Sequence, residues 1–162
     1  MQRIPEIKIN FYISKNDSED FDRDNVTQQL KLSPTSTSQP RLSPGRVHTV
    51  TYEEAVEAMG DGITVLPSAE PPYPFLIHAY WSVVLPRMQT WSLEEPLREM
   101  EALLRERVDT VCSICDLYNL RLTLIITVYA DANNMPIISI PRGSVSFWSI
   151  MKTEFKFDFY LD

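Results

Sequence analysis

Few side chains in this chain have the type and spacing for chemistry. Cys112-Ser-Ile-Cys115 is a C-x-x-C. A redox pair wants its first cysteine exposed at a helix N-terminus, where the helix dipole lowers the thiol pKa. Here the pair sits about twenty residues into a helical pattern, with Cys115 on its apolar stripe. A zinc site would need two more ligands at workable spacing. The chain offers only two isolated histidines, His48 and His78, and scattered acids. The cysteines therefore read as small core residues. Asp20-Phe-Asp22-Arg-Asp24 resembles the start of a calcium loop, but the sixth position is Asn25 rather than glycine and the twelfth is Lys31 rather than glutamate. These acids read instead as capping and solvating groups at a helix start, where they complement the macrodipole. They also qualify as part of an acidic binding patch. Neither histidine has a serine, cysteine or aspartate pattern around it that suggests a triad, although either could act as a base. Phosphate loops, dinucleotide glycines, zinc-protease helices and nucleophile elbows are absent. Four glycines are too few for a phosphate cradle. No catalytic residue, metal ligand or cofactor is assigned. Aromatic residues give one further possibility: Tyr73, Phe75 and Trp81 could line a pocket for a small molecule, or serve as ordinary core and interface anchors.

These residues must be positioned by the elements around them, and the most regular of those is Ser92 to Leu117. Leu93, Leu97, Met100, Leu104, Val108, Val111, Cys115 and Tyr118 recur every three or four residues, which predicts one long amphipathic helix. Ser92 with Glu95 forms a capping-box pattern, and Pro96 lies in the first turn, where its missing N–H costs little. Alternation predicts strands at residues 6–14, 76–85, 120–128 and 155–161, the last carrying Phe155, Phe157, Phe159 and Leu161 on one side. Asp22 is a good N-cap for a short helix to about Lys31, with Phe21 placed to staple onto Val26. Residues 33–46 have little to bury and read as a loop. Thr51 with Glu54 signals a short helix to Met59, and Ile63–Leu66 a short strand. Pro67–Pro74 is a stiff connector. Asp131–Asn134 reads as a turn leading into Ile137–Ile140 as a hairpin arm. Residues 144–153 read as a helix.

One domain spanning residues 1–162 is expected, with an insertion or extended loop at about 33–75. Each strand has one apolar face and each helix one apolar stripe. That pattern predicts an α+β two-layer sandwich: a mostly antiparallel or mixed sheet, with a long central helix and shorter helices on one face. Net charge is −7, which argues against nucleic acid or an anionic membrane as partner and suits a basic protein partner. The first residues alternate without a long apolar core, no apolar run approaches a membrane span, and the cysteine use fits a reduced compartment. A cytoplasmic protein is expected.

The run Phe11-Tyr12-Ile13-Ser14, an acidic loop, and Asp22 to Thr35 ending Leu30-Lys31-Leu32-Ser33-Pro34-Thr35 resembles the opening of the bacterial domain-of-unknown-function family 4279. Tyr80-Trp81-Ser82-Val83, the 92–117 helix, Leu120–Tyr129 and Phe155–Tyr160 resemble its later elements in order. The likeness departs at about residues 41–75, where members of that family cross in fewer residues. It implies a small bacterial accessory protein, of a kind suspected to act as immunity proteins beside secreted toxins, and it implies no catalytic residue. The expected function is non-catalytic: stoichiometric neutralisation of a cognate, basic toxin domain. The expected contact surface is acidic, drawn from Asp17, Glu19, Asp20, Asp22 and Asp24, or from Glu53, Glu54, Glu57 and Asp61 in the insertion. The alternative is a small-molecule-binding or regulatory domain using the Tyr73, Phe75 and Trp81 pocket.

Overall fold

The computed structural model describes residues 3–15, 19–43, 63–65 and 75–161; of residues 41–43, 63–64 and 75–77 it describes the backbone alone. The central strand is β1 (Glu6–Ser14). Its alternation puts Ile7, Ile9, Phe11 and Ile13 on one face, all fully buried. β1 pairs antiparallel with β6 (Tyr80–Val84) on one side and with β8 (Arg121–Ala130) on the other. The register sets Phe11 opposite Val83 and Leu124, and Ile9 opposite Ile126. Period-two patterning in three strands thus adds up to one continuous apolar face. A three-residue strand, β2 (Ser36–Ser38), extends the sheet beyond β6, and β9 (Glu154–Leu161) closes the other edge, parallel to β8. The order is β2-β6-β1-β8-β9, with β7 (Met88–Gln89) pairing the start of β1. This is an α+β fold with a mixed six-stranded sheet. A separate antiparallel sheet joins β3 (Arg41–Ser43), β5 (Phe75–Ile77) and β4 (Ile63–Val65).

Among the described residues, four helices cover the apolar face: α1 (Arg23–Leu30), α2 (Glu94–Leu104), α3 (Val108–Tyr118) and α4 (Arg142–Ile150). Val26, Leu30, Leu97, Met100, Leu104, Val111, Ile114 and Trp148 meet the β-sheet side chains in one core. Complete burial of each large side chain contributes about 1.5–3 kcal/mol. α1 closes at Lys31 and α3 at Asn119, both in the left-handed region (φ 50° and 52°). Asparagine tolerates that conformation well, and its N–H bonds back to the Cys115 carbonyl.

The structure departs from the sequence expectation at several elements. The predicted long helix is two helices joined by a 3₁₀ turn at Arg105–Arg107. The Arg107 guanidinium donates to the carbonyls of Leu103 and Leu30, both at 2.7 Å, so it serves the backbone at the break and ties it to the end of α1. The tighter turn advances the helix by roughly 60° more than three α-helical residues would. In α3, Ile114 is therefore fully buried while Cys115 is half-buried. The capping box is also replaced. Ser92 Oγ accepts from the Glu94 N–H, and the Glu95 carboxylate lies 3.2 Å from the hydroxyl of buried Thr90. The strand expected at 76–85 is divided between the two sheets, β5 leaving off at Ile77 and β6 starting at Tyr80. The Ile137 hairpin arm does not form. Ile137 makes a single parallel bridge with Ser92, and β9 occupies the flank of β8 instead. Residues 33–46, read as loop, supply β2 and β3; β2 joins the sheet through its backbone and through Ser36 Oγ, 3.0 Å from the Tyr80 hydroxyl, and so needs no apolar side chains. The helix expected at Thr51–Met59 and the connector Pro67–Pro74 lie outside the described residues.

Candidate functional site

The acidic segment before α1 is the best-defined of the expected sites. Asp22 is the N-cap, its Oδ1 accepting the Asn25 N–H at 2.8 Å. Phe21 and Val26 on either side of it are both buried, which fixes the entry angle of the helix. Asp20 accepts both guanidinium nitrogens of Arg23 and the Phe21 N–H. Lys15 Nζ lies 2.7 Å from the Glu19 carboxylate. The hydrogen bond from Lys15, and then its charge, hold the Glu19 carboxyl below its ordinary pKa; Arg23 does the same for Asp20. Both acids are therefore ionised throughout the physiological range. Asp24 is exposed in the first turn of α1. Together Asp20, Asp22 and Asp24 border an open groove of about 670 Å³ whose far wall is Thr37, Ser38 and Gln39, at the β2 edge of the sheet. Asn25 Nδ2 donates to the Tyr118 hydroxyl at 3.0 Å, which ties α1 to α3.

The other expected residues fall elsewhere. Asp17, Glu53, Glu54, Glu57, Asp61, Tyr73 and His48 lie outside the described residues, and of Phe75 only the backbone is described, in β5. Trp81 is fully buried: its ring is part of the core beneath α1, and its indole N–H donates to Thr27 Oγ1 at 3.0 Å. The aromatic pocket loses Trp81 because strand alternation directs that side chain to the helix-covered face. His78 is half-buried between β5 and β6.

Cys112 and Cys115 are free thiols packed at the rim of the core. They line a cleft of about 370 Å³ with Asp116, Arg121, Lys152 and Glu154. Burial, then the neighbouring Cys112 and Asp116, pushes the Cys115 thiol up to about 12. Burial and the charges of Asp116 and Asp109 raise Cys112 as well. Thiols held protonated are weak nucleophiles and weak metal ligands. Among the described residues no group of three or more histidines, cysteines or acids is placed to hold a metal ion.

The sequence pattern puts Glu101 on the polar face of its helix, four residues before Arg105, and Asn10 on the polar face of its strand; both are buried in the structure. Glu101 is 95 % buried and accepts the Trp148 indole N–H at 3.0 Å. The signal for its burial was its place one residue after Met100 and four after Leu97, at the edge of the apolar stripe. On the opposite face of the sheet, Asn10 is buried between Val84 and Ile125, and its side-chain carbonyl has no hydrogen-bond partner. Nearby, burial and then Tyr80 raise the Tyr12 phenol above its usual range, with the two rings edge to face at 5.5 Å.

No family model, curated protein or solved structure matches the chain. No helix among the described residues is long and apolar enough to cross a membrane.

Proposed function

We propose that this chain is a non-catalytic bacterial binding protein, an immunity protein of the cytoplasm that neutralises a basic toxin domain by forming a stoichiometric complex. The observation that carries the reading is the groove between Asp20–Asp24 and Thr37–Gln39. It is open, and acids fixed by a helix cap and by Arg23 border it. Preorganised negative charge on a rigid element speeds capture of a basic partner and disfavours others. The net charge of −7 acts in the same direction at longer range. Lys15 and Arg23 partly offset Glu19 and Asp20, so Asp22 and Asp24 are the acids a lysine or arginine of the partner meets first.

The test is capture of the tagged protein from its source cells at low salt, followed by mass spectrometry and by association kinetics with the recovered partner. A basic toxin fragment in stoichiometric amount, released by higher salt, is the expected result. Asp24→Lys should then slow association and flatten its salt dependence. Recovery of no toxin from cells that express one, or association indifferent to Asp24→Lys, refutes the reading.

A further inference from the structure

The β9 strand ends the sheet as an edge with unusual composition. It reads Glu-Phe-Lys-Phe-Asp-Phe-Tyr-Leu, without proline, glycine or bulge. Natural edge strands are generally short, twisted away, or carry charged side chains that discourage pairing with another chain; β9 carries Glu154, Lys156 and Asp158, charges of both signs. This one is eight residues long, and among the described residues it is bonded to β8 alone. Its outer half remains apolar and open: Phe159 is 46 % exposed, Tyr160 58 % and Leu161 55 %. The rings of Phe157 and Phe159 stack at 6.3 Å and continue the apolar face past the helices.

The order of the side chains identifies the occupant. On the polar face Lys156 and Asp158 are neighbours of opposite sign; on the other lie Phe155, Phe157 and Phe159. Two copies of β9 laid antiparallel about a two-fold axis through Phe157 bring each Lys156 opposite the Asp158 of the other copy. The same register sets Phe155 against Phe159 twice and Phe157 against itself. Directly opposed residues share a face of the sheet, so both ion pairs lie on the polar side and the phenylalanines on the apolar side. Lys156 Nζ lies 3.8 Å from the Glu154 carboxylate on the same strand. A shift of the two-fold axis by one residue in either direction would set Lys156 or Asp158 against its own copy; the register centred on Phe155, which sets Glu154 against Lys156, is also charge-matched, and it differs in that exchanging Lys156 and Asp158 would not restore it.

We propose that β9 is a self-association edge: two copies of the chain pair antiparallel through it, in the register centred on Phe157, to form one continuous sheet with two-fold symmetry. The inference is independent of the toxin reading, because it concerns the edge of the sheet opposite the acidic groove.

Sedimentation over a dilution series tests it with wild type, Lys156→Asp, Asp158→Lys and the double exchange. Wild type should form a dimer that dissociates on dilution. Each single variant sets like charges opposite each other twice and should weaken association about tenfold. The double exchange should restore it to near the wild-type value. A chain that stays monomeric at every concentration overturns the proposal. So does a dimer indifferent to the single variants, or one that the double exchange fails to recover. Hydrogen exchange on the wild type gives a readout free of any folding defect: the Phe155–Leu161 amides should gain protection as concentration rises, and unchanged protection overturns the proposal equally.

Discussion

At the scale of single residues, the C-x-x-C is the clearest case of a motif whose meaning is set by its surroundings. The same four residues at a helix N-terminus would form a reactive pair. In the middle of α3, against Ile150, Met151 and Leu122, burial dominates and the thiols stay protonated. This has a consequence for stability. The Cys115 pKa is raised from 9.0 to about 12 in the folded chain, so the folded state keeps a proton that the unfolded chain loses first. The stabilising contribution is intact below 9.0 and disappears as pH climbs towards 12, because unfolding then releases a proton. Denaturant titrations of wild type and Cys115→Ala across that window should show the wild type losing stability more steeply. Comparison of the two isolates the Cys115 contribution from that of every other group. Parallel slopes would mean that Cys115 ionises as freely in the fold as out of it.

At the scale of elements, the joint between α2 and α3 shows what periodicity can and cannot reveal. The apolar stripe through Leu93, Leu97, Met100 and Leu104 correctly marks the buried face of α2. The continuation through Val108 and Val111 is compatible with an unbroken helix, and nothing in the spacing announces a 3₁₀ turn. At the turn Arg107 reaches the Leu30 carbonyl, a contact with a residue 77 positions away in sequence. Periodicity reports local burial; it is silent on such long-range hydrogen bonds. Removing the guanidinium should therefore cost more than an ordinary surface change. Arg107→Met keeps the stem but leaves two carbonyls without their charged donor. A loss of about 2–3 kcal/mol in urea unfolding is expected, against less than about 0.5 kcal/mol for Arg98→Ala, whose exposed pair with Glu94 is an i,i+4 surface contact. Equal effects would show that the joint is held by packing alone. The same limit explains the other differences. Alternation located β1, β6, β8 and β9, yet it could not tell that β9 would run parallel to β8 and displace the Ile137 arm, because strand partners are chosen by the whole sheet. Of the candidate site, Asp22 as cap and the acids around it were legible, since capping is a local pattern. For Trp81 the sequence left pocket and core both open, and the structure gives core: its indole partner, Thr27, is 54 residues away, beyond the reach of a local pattern.

At the scale of the whole molecule, the sheet has two ends with different character. The acidic groove borders β2, and the β9 edge closes the far side, with β6, β1 and β8 between them. At about 4.8 Å per strand the two edges stand roughly 19 Å apart. A dimer joined through β9 would therefore place its two grooves at the outer ends of a continuous sheet, each open to a partner. Sites separated by more than about 10 Å without shared side chains contribute almost additively. Asp24→Lys should consequently weaken capture of a basic partner and leave the dimer constant unchanged. Lys156→Asp should weaken the dimer and leave the intrinsic affinity of each groove unchanged. The complex formed by wild type at high concentration should contain two copies of each protein, and that formed by Lys156→Asp one of each; light scattering on the isolated complexes separates the two. A complex of two copies of this chain with a single partner molecule would mean instead that the partner spans or blocks the β9 edge, joining into one surface the two functions that the sheet otherwise keeps apart.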